Sequence, residues 1–113
     1  MVGTWIDNLA NLLRDCGRND EAEPLYRSAI DVFVKTIGEE HSRTARAYRN
    51  FAAFLSKTGR SEEALRYAEL AHAVHARVHG ERHAWTRKSA SVLADTLDTL
   101  GRTQEAQALR AGL

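Results

Sequence analysis

Four histidines follow one another at three- and four-residue steps in the second half of the chain: His72, His75, His79 and His83. Two histidines spaced i, i+4 on a helix share a face and can chelate a transition metal. Three of the four, however, stand 42 residues after apolar side chains of an internal repeat, namely Ile30, Phe33 and Ile37. We therefore expect half-buried packing against the last third of the chain, and no metal site. Protonation of such histidines would weaken the packing below about pH 6.5.

The remaining residues do not suggest catalysis. Cys16 is the single cysteine, and no histidine lies near it in sequence to act as its base. The chain has no phosphate-binding glycine loop and no pair of carboxylates in an apolar setting. We expect neither an enzyme nor a cofactor.

Composition narrows the range of partners and compartments. With 113 residues, the chain is long enough for one domain, which we place over 1–113. Its formal net charge of +1 gives no general attraction to nucleic acid or to anionic lipid, and it has no long apolar run. A lone cysteine cannot form an internal disulfide, which fits a reducing compartment. We predict a cytoplasmic protein that binds neither nucleic acid nor membrane.

The elements that must position these residues repeat along the chain. The pair Gly17-Arg18 recurs as Gly59-Arg60 and Gly101-Arg102, at intervals of 59 − 17 = 42 and 101 − 59 = 42 residues. Residues 4–45 laid over 46–87 without a gap match at 13 positions, and a shortened third copy spans 88–113. Self-similarity at this period is the signature of a solenoid, in which each unit buries its apolar face against its neighbours.

Each copy predicts two antiparallel helices joined at the glycine. Apolar residues recur at helical spacing on both sides of it, and glycine can take the left-handed conformation that ends a helix. We expect side-chain oxygens to cap the second helices, at Asn19, Ser61 and Thr103. Alanines at matched positions should let the two helices approach closely; they are Ala10, Ala52, Ala94, Ala22, Ala64 and Ala106.

The pattern of the first copy resembles the tetratricopeptide repeat, in the long form found in kinesin light chains and related bacterial proteins. The resemblance rests on Asn8-Leu9-Ala10, Leu13, Gly17-Arg18, Glu21-Ala22, Gly38, His41 and Thr44. It implies an all-α fold, a right-handed superhelical stack of antiparallel helix pairs with repeats at 4–45, 46–87 and 88–113. It also implies protein–protein recognition, with a partner peptide or helix held in a concave groove lined by the first helix of each pair.

The family's geometry places residues 42 apart side by side in that groove. By this analogy the partner-binding residues are Asp7, Asn8, Asn11, Arg14, Arg46, Arg49, Asn50, Ala53, Lys57, Lys88 and Ser91. The middle copy contributes only cations among its charged groove residues, so a partner with acidic groups is favoured, and Asn50 is placed to grip a peptide main chain. The alternative is that these charges only pair with each other across copies, Asp7 with Arg49 and Asp15 with Lys57.

A second functional hypothesis is self-assembly without a groove ligand. Trp5 and Leu12 lie on the side of the first helix that would meet a preceding repeat, whereas the segment from Thr103 to Leu113 is rather polar. About two and a half repeats is fewer than the three usually needed for independent stability. The chain is therefore expected either to belong to a longer protein or to form a homo-oligomer through the end near Trp5.

Overall fold

A computed structural model describes residues 2–113 and contains six helices. They are α1 (Val2–Asp15), α2 (Asn19–Ile37), α3 (Ser42–Lys57), α4 (Ser61–His79), α5 (Ala84–Thr99) and α6 (Thr103–Ala111). Successive helices pack in pairs, α1 with α2, α3 with α4 and α5 with α6, and the pairs stack side by side. We call α1, α3 and α5 the A helices and α2, α4 and α6 the B helices. The predicted all-α fold is confirmed.

A glycine turn closes each A helix, as the sequence predicts. Gly17 has a φ of 77°, a left-handed conformation that favours glycine. The Gly17 N–H donates to the carbonyl of Arg14 at 2.9 Å, and the Arg18 N–H donates to the carbonyl of Leu13 at 2.8 Å. This pair of bonds is a Schellman motif, and it recurs at Gly59 and Gly101. The 42-residue spacing of the Gly-Arg pairs therefore sets the position of every A-to-B turn.

The predicted caps of the B helices are wrong. Asn19, Ser61 and Thr103 are the first residues of these helices, and the preceding arginines occupy the cap positions without a side-chain cap hydrogen bond. At two of the three starts the arginine pairs instead with an acid in the first turn, Arg18 with Glu21 and Arg102 with Glu105. A carboxylate near a helix N-terminus is favoured by the helix dipole, so these ion pairs lie where the dipole supports them.

Histidines cap two of the A helices. The Nδ1 of His41 accepts the N–H of Arg43 at 3.0 Å, and the Nδ1 of His83 accepts the N–H of Trp85 at 3.1 Å. An accepting Nδ1 carries no proton, so both rings are held in the tautomer protonated on Nε2. His41 and His83 therefore each stabilise the start of an A helix directly after a turn.

Small residues set the distance between helices in the core. All six matched alanines, from Ala10 to Ala106, are fully buried. Around them one core cluster gathers the rings of Tyr26, Phe51 and Phe54, and a second gathers Leu93 and Leu97. Tyr26 and Phe54 lie 5.0 Å apart between ring centroids. Enlarging an alanine at such a contact would separate the helices, which costs about 1–3 kcal/mol.

Candidate partner-binding groove

The best-defined polar cluster joins the first two A helices. Asp7 of α1 is 1% exposed, and the Nδ2 of Asn50 on α3 donates to its Oδ2 at 2.7 Å. Arg46 and Arg49, one turn apart on α3, are half-buried beside this carboxylate. The repeat places these side chains together because Asn50 follows Asp7 by 43 residues, one more than the period.

Burial governs the electrostatics of this cluster. Loss of solvent raises the pKa of the Asp7 carboxyl above its usual value, although the Asn50 hydrogen bond and the charges of Arg46, Arg49 and Arg14 act in the opposite direction. Burial also lowers the pKa of the Arg49 guanidinium, and the like charge of Arg46 adds to that effect. The cluster is thus two close cations facing one carboxylate that is itself poorly solvated. A further anion would be favoured there.

Three buried polar atoms in the cluster lack a hydrogen-bond partner within residues 2–113. They are Asp7 Oδ1, Arg46 Nε and Arg49 Nη1. A buried polar atom without a partner costs about 1–3 kcal/mol, so such atoms are rare unless something else satisfies them. Two unsatisfied donors and one unsatisfied acceptor match the oxygen and N–H groups that a peptide segment offers.

A shallow groove of about 490 Å³, which we call the A-helix groove, continues from this cluster between α3 and α5. Its lining is Arg49, Asn50, Ala53, Arg87, Lys88, Ser91, Val92 and Leu113. Three of these side chains are basic and none is acidic. Within the groove, the guanidinium of Arg87 donates to the main-chain oxygen of Leu113 at 2.7 Å.

Apart from Asp7, the predicted residues on α1 and at the end of α3 are not hydrogen-bonded into this cluster. Asn8 and Lys57 are exposed. The Oδ1 of Asn11 accepts the hydroxyl of Tyr26 at 2.6 Å, and burial raises the pKa of Tyr26 to about 12, which keeps that hydroxyl protonated. Arg14 pairs with the adjacent Asp15 at 2.9 Å.

The alternative pairings across copies are not formed as expected. Asp15 pairs with Arg14 and not with Lys57, because Arg14 is its immediate neighbour on α1. Asp7 takes its hydrogen bond from Asn50, and Arg49 keeps an unsatisfied donor. The cations of α3 are therefore not neutralised by the ion pairs expected between copies.

Acids of the third copy are neutralised from within the same copy. Arg110 of α6 reaches both Asp95, at 2.7 Å, and Asp98 on α5. The charged side chains that line the groove are therefore Arg49, Arg87 and Lys88, and Arg46 lies in the adjoining cluster.

Sequence reasoning missed three groove residues: Arg87, Val92 and Leu113. Arg87 follows Ala45 by 42 residues, and Ala45 was not among the predicted groove residues, so Arg87 was left out of the prediction as well. Its place beside Lys88 at the start of α5 was the available signal.

The histidines lie at the junction of α3, α4 and α5. His75 is fully buried; its Nδ1 is 2.7 Å from the Oγ of Ser89, and its Nε2 is 3.1 Å from the carbonyl of Ser42. The His79 ring contacts Trp85 of α5. Packing against the third copy is thus confirmed for these two. In the part of the chain that the structure describes, residues 2–113, no three His, Cys, Asp or Glu side chains are grouped to hold a metal ion.

The described chain also contains no helix with the length and apolar character needed to cross a membrane. Its three stacked helix pairs with an open, basic A-helix groove define a helical repeat scaffold. The family model of the tetratricopeptide repeat matches residues 2–71 and 43–109, so the chain belongs to the tetratricopeptide repeat family. Repeats of this family generally mediate protein–protein interaction or scaffolding, and the family is generally non-enzymatic.

Solved structures of the kinesin light chain type share the fold. BtubC (BKLC) from P. vanneervenii superposes with a TM-score of 0.89 at 24% sequence identity, over 96% of this chain and 43% of that one. The nearly identical TPR-like repeats of a candidate kinesin light chain from Podosopora anserina superpose with a TM-score of 0.88 at 24% identity, over 96% and 52%. The chain thus spans about half the length of these structures. No curated protein is significantly similar to it in sequence.

Proposed function

We propose that this chain is a protein-interaction module that holds a segment of a partner protein in its A-helix groove. The observation that carries the proposal is the pair of buried, unsatisfied donors, Arg46 Nε and Arg49 Nη1. An acidic side chain or a main-chain carbonyl of the partner would accept from these half-buried guanidinium groups once they turn towards the groove. Charge-assisted hydrogen bonds of this kind are worth about 1.5–3 kcal/mol each, more than the surface ion pairs elsewhere on the chain.

Asn50 gives the groove a way to recognise the peptide main chain. Its Nδ2 is engaged by Asp7, while its Oδ1 has no hydrogen-bond partner among residues 2–113 and can accept a peptide N–H. The partner would then run from Arg46 and Arg49 towards Lys88 and Ser91, with Ala53 leaving room for it. Asp7 acts as a positioning residue, and Asn8, Asn11, Arg14 and Lys57 extend the surface towards its ends. We place the module in the cytoplasm.

The test is capture of partners from the native source by the full chain and by Arg49→Met. Methionine keeps the apolar stem but removes the guanidinium, whose Nη1 has no internal partner to lose. Each captured protein is then purified and its affinity is measured. We expect Arg49→Met to weaken binding by about tenfold or more, and Lys57→Met, an exposed cation on the same helix, to change it by less than about twofold.

The thermal melt must be recorded for each variant. Asn50 is left unchanged in this test, because its loss would leave the buried Asp7 without its hydrogen bond, at a cost of about 1–3 kcal/mol. Equal binding by the Arg49→Met variant and the unchanged chain, with equal melts, would contradict the proposal.

The second candidate function is self-assembly through α1. Val2, Trp5 and Leu12 are 65%, 67% and 58% exposed on one side of that helix. The residues 42 positions later, Thr44, Ala47 and Phe54, are all buried. The side of α1 that is open here is therefore the side that α3 buries. A second copy of the chain or a neighbouring repeat of a longer protein would cover it.

A further inference from the structure

A second and larger groove lies between the B helices α2 and α4. It has a volume of about 960 Å³, and Tyr48 of α3 contributes to its lining. One face of α4 lines it over four turns, from Glu62 to Arg77, at steps of three and four residues. The opposite wall is the C-terminal half of α2, from Ile30 to Val34. We call this the B-helix groove.

Apolar side chains line the B-helix groove along its length. They include Ile30 and Val34 from α2, and Leu65, Leu70 and Val74 from α4. Leu70 is 38% exposed, although it lies in the middle of α4. An open apolar strip between two helices is the shape that receives the apolar face of a third helix.

The rim of the B-helix groove carries four acids that have no direct partner among the described residues. Asp31, Glu39, Glu62 and Glu69 line it, and none makes a hydrogen bond or ion pair within residues 2–113. By contrast, Glu23 on the neighbouring face of α2 pairs with both Arg27 and Arg60.

The basic residues of the groove are already engaged. Arg77 pairs with Glu40, and the guanidinium of Arg66 lies over the ring of Tyr67 at 5.6 Å from its centroid. The charge left open on this side is therefore negative, opposite to that of the A-helix groove.

We propose that the B-helix groove binds a basic amphipathic helix of a partner protein. The apolar face of that helix would lie on Ile30, Val34 and Leu70, and its lysines or arginines would meet the four unpaired acids. The lined stretch of α4 is about 22 Å long, which matches roughly 15 residues of bound helix. Because the two grooves carry opposite charge, they select different partners, and this site does not depend on the A-helix groove.

The probe is a synthetic helix of about 16 residues, with leucine at helical spacing and lysine elsewhere. It is titrated into the ¹⁵N-labelled full chain while the amide spectrum is recorded. We expect saturable shifts confined to residues 30–34 and 62–77. The same peptide with glutamate in place of lysine should not bind, and a scrambled order of the same residues should bind at least about tenfold more weakly.

Charge reversal tests whether the acids at the rim of the B-helix groove contribute to peptide binding. Asp31→Lys with Glu69→Lys should weaken binding by about tenfold or more, because it replaces two attractions with two repulsions. The matched control, Asp20→Lys with Glu81→Lys, makes the same change in net charge outside the groove and should alter affinity by less than about threefold.

Four results would overturn the proposal. They are no saturable binding by the lysine peptide, equal binding of the scrambled peptide, shifts centred on Arg49 and Ser91, and equal loss of affinity in the rim and control variants. A fifth result, shifts at the groove that depend on protein concentration without peptide, would also overturn it, because it would assign the surface to a second copy of the chain. The mapping uses the unchanged chain, so it stands even if a variant fails to fold.

Discussion

Protonation of His75 should contribute to destabilising the fold in acid. This side chain occupies the place of Phe33 in the preceding copy, yet it is fully buried and hydrogen-bonded to Ser89 and Ser42. Burial lowers the pKa of His75 to about 4, and the positive charge of Arg49 acts in the same direction. The folded chain therefore keeps this ring neutral at pH values where the unfolded chain protonates it.

The sign and size of the effect follow from that difference. An unfolded histidine titrates near 6.5, so between about pH 6.5 and pH 4 the unfolded state binds one more proton at this residue than the folded state. The contribution of His75 to the free energy of unfolding is then highest above pH 6.5 and falls as the pH is lowered. At 1.36 kcal/mol per pH unit, the loss by pH 4 is roughly 3 kcal/mol.

The assay is urea unfolding, followed by circular dichroism, at several pH values between 4 and 7.5. The comparison variant is His75→Phe with Ser89→Ala, which installs the residues that stand 42 positions earlier, Phe33 and Ala47. It removes the titrating ring without leaving the Ser89 hydroxyl unpaired. The other four histidines are common to both chains, so their contribution cancels in the difference.

We expect the double variant to lose less stability on acidification than the unchanged chain, by roughly 3 kcal/mol at pH 4. Equal pH dependence in the two chains would refute the reasoning, because it would mean that His75 protonates as easily in the folded state as in the unfolded state.

Two further predictions concern α1. Burial raises the pKa of Asp7 in the folded chain, so its charged form opposes folding at neutral pH, and this cost disappears as the pH falls through the raised pKa. The Asp7→Asn variant should therefore be at least as stable to urea as the unchanged chain at pH 7. Between pH 7 and pH 4 the variant should lose more stability than the unchanged chain, because it has no carboxylate to protonate. A loss of more than about 2 kcal/mol at pH 7 would show instead that the carboxylate is net stabilising. If the chain assembles through its exposed α1 surface, Trp5→Ser should shift sedimentation towards the monomer at micromolar concentration, whereas Val78→Ser, which is half exposed on α4, should not. A monomeric unchanged chain would rule this interface out.

The positions of the turns could be predicted from the sequence more accurately than the polar contacts. Gly17, Gly59 and Gly101 could be placed because only glycine readily takes the left-handed conformation that ends these helices, and they recur at a fixed interval. The buried alanines followed from the same interval. The cap residues of the B helices were misplaced by one position, because the ion pair of Arg18 with Glu21 takes the place of a side-chain cap.

The A-helix groove shows why the contacts of a side chain cannot be predicted from the residue 42 positions away. Rows of residues 42 apart brought Asp7 beside Arg49, but its hydrogen bond comes from Asn50, one position further on. Arg87 lies in the groove although its counterpart Ala45 is buried in the core. Side-chain length and helix rotation decide such contacts, and a period in the sequence does not carry that information.

The most direct test of the account observes the unsatisfied guanidinium groups themselves. The Nε–H resonances of Arg46 and Arg49 can be recorded in a ¹⁵N-labelled full chain while a purified captured partner is added. We expect saturable shifts of both resonances at the same midpoint as partner binding, with the Lys57 side chain unaffected. A partner that binds while both guanidinium resonances stay in place would contradict the claim that these buried donors are what the groove offers.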